Sequence, residues 1–198
     1  MVDFAARKIL GELVFLRPLH KADAEPFLEA VEGSRESLSE FLPWPADVQN
    51  LNAAQTHIEA YSFQAKLGNG GAWGIFEQAS GKFSGAIYVH WISEENSSAA
   101  IGYWLSKAAR GNGFATEAVK LICKTLLLEW RLNRIEAMVP VENRRSLSVL
   151  ERAGFASEGV CREYAKLHGK FHDCVRFCFL RKFFGGKEVQ TEPGEAAP

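Results

Sequence analysis

Arg110-Gly111-Asn112-Gly113-Phe114-Ala115 stands between a short apolar run, Ala100-Ile101-Gly102-Tyr103-Trp104-Leu105, and the most regular helical pattern in the chain, Thr116 to Trp130. In that pattern Ala115, Ala118, Val119, Ile122, Leu126 and Trp130 line one stripe, while Glu117, Lys120, Lys124 and Glu129 fall elsewhere. Two glycines let the linking backbone take positive φ and bring its N–H groups close to a ligand. The helix start adds unpaired donors and a positive dipole end. Such a turn suits a pyrophosphate, and Lys107 and Arg110 add positive charge at its rim.

Spacing separates the cradles that could be meant. A P-loop needs Lys and then Ser or Thr after its last glycine, but Phe114 follows Gly113. A dinucleotide fingerprint needs a third small residue where Thr116 stands and should open the fold, whereas this turn lies past mid-chain. A lone Gly-x-Gly carries little weight, and a glycine-rich connection without a ligand stays open at this point.

Upstream, Leu13 to Leu16 reads as a strand ended by Arg17-Pro18, and Asp23 to Val31 as a helix whose Pro26 must sit in the first turn. Phe41-Leu42-Pro43-Trp44-Pro45 is a rigid loop that either presents Trp44 or folds it back onto the core. A helix from Ala53 to Leu67 stops at Gly68-Asn69-Gly70-Gly71. Trp73 to Glu77 and Phe83 to Trp91 form a hairpin, and the run ending at Leu105 completes an antiparallel meander. Downstream come a strand, Ile135 to Val139, and a short helix capped by Asn143 and ended by Gly154. Two last strands, Phe155 to Val160 and Phe171 to Leu180, complete the pattern. Residues 185–198 lack packing residues and read as a flexible tail behind one domain, 1–184. The order β-α-α-β-β-β-α-β-α-β-β is an α+β plan in which the long helix crosses between two strands of one sheet.

At 198 residues and 47% hydrophobic, the chain can bury one sizeable core. A formal net charge of -1 offers no bulk attraction to nucleic acid or a membrane surface. Met1 to Leu10 holds Asp3, Arg7 and Lys8 without a long apolar run, so a cytoplasmic protein without a signal peptide is expected. Cys123, Cys161, Cys174 and Cys178 are irregularly spaced in apolar surroundings, as reduced core thiols would be. His168, His172 and Cys174 lack a metal-site spacing, and no metal is expected.

Arg-x-x-Gly-x-Ala between a strand and a long amphipathic helix resembles the acetyl-CoA signature of the GNAT superfamily of N-acyltransferases. Asn143-Arg144-Arg145-Ser146 with Leu150-Glu151-Arg152-Ala153-Gly154-Phe155 resembles that family's next motif, at the expected separation. Leu16-Arg17-Pro18-Leu19, Leu42-Pro43-Trp44, Ile101-Gly102-Tyr103-Trp104-Leu105, Glu158-Gly159, Leu167-His168-Gly169 and His172-Asp173 resemble one branch, the RimJ/RimL family that acetylates protein N-termini, chiefly of ribosomal proteins. The resemblance covers roughly Gly11 to Arg181. It implies a mixed, mostly antiparallel seven-stranded sheet flanked by about four helices, with a central strand pair splayed to admit the pantetheine arm. It also implies acetyl-CoA as co-substrate, held by Leu105, Arg110, Gly111, Asn112, Gly113, Phe114, Ala115, Thr116, Asn143 and Ser146. Leu105 would pair with the arm through its backbone, and Ser146 would reach the sulfur as donor or proton source.

Direct transfer needs a neutral amine, donors for the developing oxyanion and a proton for the leaving thiolate. Many superfamily members place a Tyr where Leu150 stands and a Glu where Ala100 stands, and part of the branch uses a Glu that aligns near Ala165. None of these three residues can move a proton. Glu163 and Tyr164 become the catalytic candidates beside Ser146, with Arg35, Trp44 and His168 around the acceptor. A weak base fits an α-amine, with pKa about 7.7 to 8, better than a lysine at about 10.4. The expected reaction is therefore acetyl transfer to the α-amine of a protein or peptide. A small-molecule amine acceptor, a CoA-binding module without turnover and a homodimer remain open alternatives.

Overall fold

The computed structural model describes residues 8–184, so the expected tail lies outside the described residues. Strands β1 (Ile9–Leu10), β2 (Val14–Pro18), β3 (Gly71–Glu77), β4 (Phe83–Ser93), β5 (Ser98–Leu105), β6 (Arg134–Pro140), β7 (Ala156–Leu167) and β8 (Lys170–Leu180) form one sheet in the order β1-β2-β3-β4-β5-β6-β8-β7. The helices are α1 (Ala24–Glu32), α2 (Arg35–Ser39), α3 (Leu51–Lys66), α4 (Phe114–Lys124) and α5 (Arg144–Ala153). This is the expected single α+β domain with eight strands in place of seven and five helices in place of about four. The additions are β1, too short to show a period, and α2, a turn and a half between polar residues. A further difference is β7, which runs on to Leu167 instead of stopping at Val160.

Alternation along the strands builds a core on each side of the sheet. On the front face, Leu16, Ile75, Ile87, Val89, Ile101, Ile135, Ala137 and Val139 pack under Ala118, Val119 and Ile122 of α4 and Leu147 and Leu150 of α5. On the back face, Ala72, Phe76, Ala86, Tyr88 and Trp104 pack under Phe27 and Val31 of α1, Leu38 of α2 and Ala54 and Ile58 of α3. The α4 helix widens after Lys124 into a π-turn, Thr125–Glu129, closed by Trp130 N–H on the Thr125 carbonyl (3.2 Å). The wider turn lets the consecutive Leu126 and Leu127 both become fully buried.

The parallel pair β5 and β6 is joined only at Ser98↔Arg134, Ala99↔Ile135 and Ala100↔Glu136. Beyond Ala100, β5 keeps only β4 as partner, through Gly85↔Leu105, while β6 keeps only β8, through Pro140↔Cys174. The middle of the sheet therefore opens into a V, as expected. Among the described residues no helix is long and apolar enough to cross a membrane.

One carboxylate ties the N-terminal strands to the mouth of this V. Glu117, in the first turn of α4, accepts from the backbone N–H groups of Glu12 (2.7 Å), Leu13 (2.8 Å) and Val14 (2.8 Å). Gly11 makes room for it, since a Cβ there would lie 2.8 Å from the Glu117 carboxyl carbon and 2.7 Å from the Val14 carbonyl oxygen. Hydrogen bonds to a charged group contribute about 1.5–3 kcal/mol. If the net loss is that of one such bond, Glu117→Ala should lower the thermal midpoint by roughly 3–12 °C, at about 2–4 °C per kcal/mol for a chain of this size. Glu117→Gln should fall between. Thermal melts of the three proteins without ligand check this, and an unchanged midpoint for Glu117→Ala would show the clamp to be idle.

Candidate active site

The turn before α4 has the backbone geometry expected of an anion-binding turn. Gly111 (φ 87°) and Gly113 (φ 80°) both take the left-handed region, and α4 starts at once behind them. Its first intrahelical bond runs from Glu117 N–H to the Gly113 carbonyl (3.1 Å). The N–H groups of Phe114, Ala115 and Thr116 thus have no partner inside the helix. Helices α3 and α5 close this gap with a side chain, Asn50 accepting from Ala53 N–H and Asn143 from Ser146 N–H, whereas α1 has no side-chain cap. α4 has no side-chain cap, and its donors face the open turn.

The turn is fastened from behind by the α1–α2 elbow. Buried Ser34 accepts from Lys107 N–H through its hydroxyl (2.8 Å). Arg110 donates to the Ser37 hydroxyl (2.9 Å) and to the Leu105 carbonyl (3.3 Å), and Asn112 reaches back to the Ala109 carbonyl (3.4 Å). Burial, and behind it repulsion from Arg145, pulls the Arg110 guanidinium below its ordinary value. Arg145 lies in the first turn of α5, so two guanidiniums from opposite sides of the V approach each other. Neither makes an ion pair with a carboxylate among the described residues, and an anion between them would relieve the repulsion.

Asn143 and Ser146 stand at the start of α5, and Tyr103 of β5 donates its hydroxyl to the Ser146 carbonyl (3.1 Å). That bond crosses the opening of the V on the front face. Burial lifts the Tyr103 phenol well above its usual value, so it stays a donor. Leu150 is fully buried in the front core and carries no proton to give.

The acceptor-side candidates separate. Glu163 and Tyr164 lie in a bulge of β7, where Arg162 to Tyr164 stand against the single Asp173 between Cys161↔Cys174 and Ala165↔His172. Glu163 has a positive φ of 49°, its N–H donates to the Asp173 carboxylate (2.8 Å), and both side chains are exposed. His168, at the β7–β8 hairpin tip, bonds to the Ser39 carbonyl at the end of α2 and so bridges the hairpin to the α1–α2 side. Arg35 holds the carbonyls of Pro45 and Val48 (2.8 Å for the latter), which makes it the clamp of the Trp44 loop. Trp44 is half-buried and folds back against His57 (4.7 Å between ring centroids), Trp104 (5.5 Å) and Phe27 (5.9 Å).

Behind Trp44 lies a network that sequence reading missed. Trp104 Nε1 donates to the Tyr88 hydroxyl (3.1 Å), which contacts His57 Nε2 at 3.3 Å. The indole can only donate, which leaves the buried hydroxyl its own proton, and a neutral His57 with Nε2 as acceptor can accept it. Burial accordingly lowers the His57 pKa to about 4. These residues come from α3, β4 and β5, and only the closed sheet brings them together.

With this geometry in place, residues 14–156 match the family described as acetyltransferase (GNAT) domain. The chain belongs to the GNAT family. A Bacillus subtilis (strain 168) protein named Probable N-acetyltransferase YjcK is 33% identical over 165 residues, covering 82% of this chain and 91% of its own. Another from the same organism, named Putative ribosomal N-acetyltransferase YdaF, is 29% identical over 183 residues, covering 90% and 97%. The solved structure of RimL, a ribosomal L7/L12 alpha-N-protein acetyltransferase in complex with coenzyme A, shares the fold: TM-score 0.83 at 22% identity, covering 88% of this chain and 98% of that one. This GNAT chain is an N-acetyltransferase, and its relatives include proteins of the RimJ/RimL kind.

Proposed function

We propose that this GNAT enzyme moves the acetyl group of acetyl-CoA directly to the α-amine of a protein or peptide. The observation that carries the reading is the meeting of an uncapped α4 start, flanked by Arg110 and Arg145, with a sheet that parts just beyond Ala100 and Glu136. Phe114, Ala115 and Thr116 N–H groups, with Gly111, Asn112 and Gly113 as the turn, hold the pyrophosphate at the positive helix end. The pantetheine arm lies in the V along β5, next to Leu105. Asn143 keeps its cap bond while lining that slot, and the Ser146 hydroxyl serves the sulfur. Tyr103 fixes the Ser146 backbone so that the hydroxyl is held at the opening. Four free thiols suit a cytoplasmic setting.

The α-amine is favoured because Ala100 and Ala165 remove the carboxylates that would deprotonate a lysine, and because relatives are named for ribosomal acceptors. One observation favours a second reading: the His168 bridge to Ser39 encloses the acceptor side, which suits a thin chain end or a small amine alike. Thiol release at pH 7.5 separates them. A panel would contain peptides with a free N-terminus, the same peptides N-acetylated with an internal lysine, and polyamines or amino acids. Turnover confined to free N-termini is expected. Equal rates on blocked lysine peptides would overturn the α-amine reading, and turnover on small amines alone would replace it with the second.

A further inference from the structure

The β4 strand carries a bulge beside the point where the sheet opens. Val89 pairs with Ile101 and Trp91 with Ala100, so His90 is an extra residue between them. Val89 and Ile101 belong to the front core, whereas Tyr88, paired with Gly102, belongs to the back one. The bulge therefore turns His90 and Trp91 to the back face together, where strict alternation would have split them. The His90 ring stacks parallel to Tyr88 (6.0 Å, 7°) and lies over Gly102, with Nε2 2.4 Å from the position a Cβ would take there. Gly102 is thus the residue that makes space for this imidazole.

Ala100 is the last residue of β5 paired with β6, so an imidazole over Gly102 stands at the edge of the V. It approaches from the back face, opposite Tyr103 and Ser146 on the front. Resting on the N-acetyltransferase reading above, we propose that His90 is the general base, taking a proton from the acceptor ammonium in place of the carboxylate missing at Ala100.

The rivals are less well placed. Glu163 sits on β7, which β8 separates from β6 and the V, whereas β4 borders β5 directly. Glu136, at the edge of the V itself, is held by Arg134 (2.5 Å), which also grips Glu158. A carboxylate paired in this way is a poor proton acceptor. His57 is occupied by the Tyr88 hydroxyl.

The titratable groups in contact with His90 or its stacking partner are Tyr88 on its own strand and, against Tyr88, His57 and Tyr61 of α3, while Glu136 on β6, paired with Ala100, is bound to Arg134. β5 contributes none, only Ala100 and Gly102. His90 is exposed, while protein packed round its ring lowers its pKa below the ordinary 6.5, which favours the neutral imidazole.

The step balances as follows. The acceptor R–NH3+ gives one proton to the imidazole. The resulting amine attacks the thioester carbonyl, a C–N bond forms and the C–S bond breaks, and the electron pair leaves on sulfur. The nitrogen's second excess proton passes to the thiolate on the Ser146 side. The imidazolium then returns its proton to water, giving R–NH–CO–CH3, free CoA thiol and one H+ overall.

The test uses the full chain with the best acceptor of the thiol-release panel. His90→Gln should lower kcat about 100-fold at pH 7, within the usual range for removing a general base, with acetyl-CoA affinity by calorimetry unchanged. The deficit should shrink as pH rises to about 9, where the acceptor deprotonates without help. Gly102→Ala should reproduce the loss by displacing an intact imidazole, and the double variant should be no worse than either single one. A His90→Gln rate within about threefold of the parent's, or a deficit equal at every pH, overturns the assignment while leaving the acetyltransferase reading intact. A parent that binds acetyl-CoA but turns over no acceptor overturns both.

Discussion

Replacing Gly113 by valine is expected to weaken acetyl-CoA binding by about 10- to 100-fold while the rest of the domain stays folded. Gly113 holds φ at 80°, which costs an L-residue roughly 1–2 kcal/mol and a β-branched one more. An added Cβ would also come within 3.2 Å of the Leu13 methyl. The chain escapes both by rotating the peptides that follow, which are those whose N–H groups form the cradle. Gly113→Asn, which tolerates the left-handed region, should lose much less. Gly111→Ala is the control for backbone strain alone, because nothing lies within 4 Å of a Cβ there. Arg110→Gln with Arg145→Gln should also weaken binding, at about 1.5–3 kcal/mol for each charged hydrogen bond lost, and should flatten its salt dependence. Calorimetric titration at two salt concentrations measures all of this. Unchanged affinity in Gly113→Val and in the double arginine variant would remove the pyrophosphate from this turn.

What could be read in advance follows from how local its cause is. The glycine turn, the apolar stripe of α4 and the Asn143 and Gly154 ends of α5 are set within a few residues of themselves, and they stand where the sequence pattern puts them. The parting of β5 from β6 was legible only through the family resemblance, since no residue in either strand announces it. The α2 helix was not legible, because its side chains serve distant backbone: Arg35 holds Pro45 and Val48, and Ser37 holds Arg110. Arg35 looked like an acceptor ligand for the same reason. Its charge is visible in the sequence, but the two carbonyls that occupy it are not.

The extra length of β7 has a related origin. Arg162 to Tyr164 interrupt the alternation, and pairing resumes only because the strand re-registers on β8 at Ala165↔His172. The bulge at His90 hides in the same way, within a run that reads as unbroken strand. The His90 bulge lies where β5 parts from β6, at a point where a regular ladder would have left less room for a second reactant.

Acidification should destabilise the protein between pH 6.5 and about 4, mostly before the carboxylates begin to contribute, and His57 should be the main cause. Its pKa falls from an ordinary 6.5 to about 4 in the fold because burial disfavours the cation. Above pH 6.5 the ring is neutral in both folded and unfolded chains and contributes no pH dependence. Between the two values the unfolded chain binds a proton that the folded one refuses, so stability falls with falling pH at up to 1.36 kcal/mol per unit. By pH 4.5 the loss should be about 2–3 kcal/mol. His90, shifted in the same direction, adds to it with the same sign. Carboxylates act lower down. Against the burial that would raise it, Arg17 holds the Asp23 carboxyl below its usual value, and Arg134 holds Glu158 at about 2. Their stabilisation is fully present above about pH 5 and is lost progressively as the pH falls through the unfolded values, 4.5 for Glu158 and 3.8 for Asp23. Urea unfolding of the parent at pH 7 and 4.5 should show this drop, and His57→Gln, which still offers Tyr88 an acceptor, should remove most of it. His57→Phe should instead cost about 1–3 kcal/mol at both pH values, because the Tyr88 proton is then buried without a partner. A parent equally stable at both pH values would mean that His57 can charge in place, and that the Trp104–Tyr88–His57 chain does not require it to be neutral.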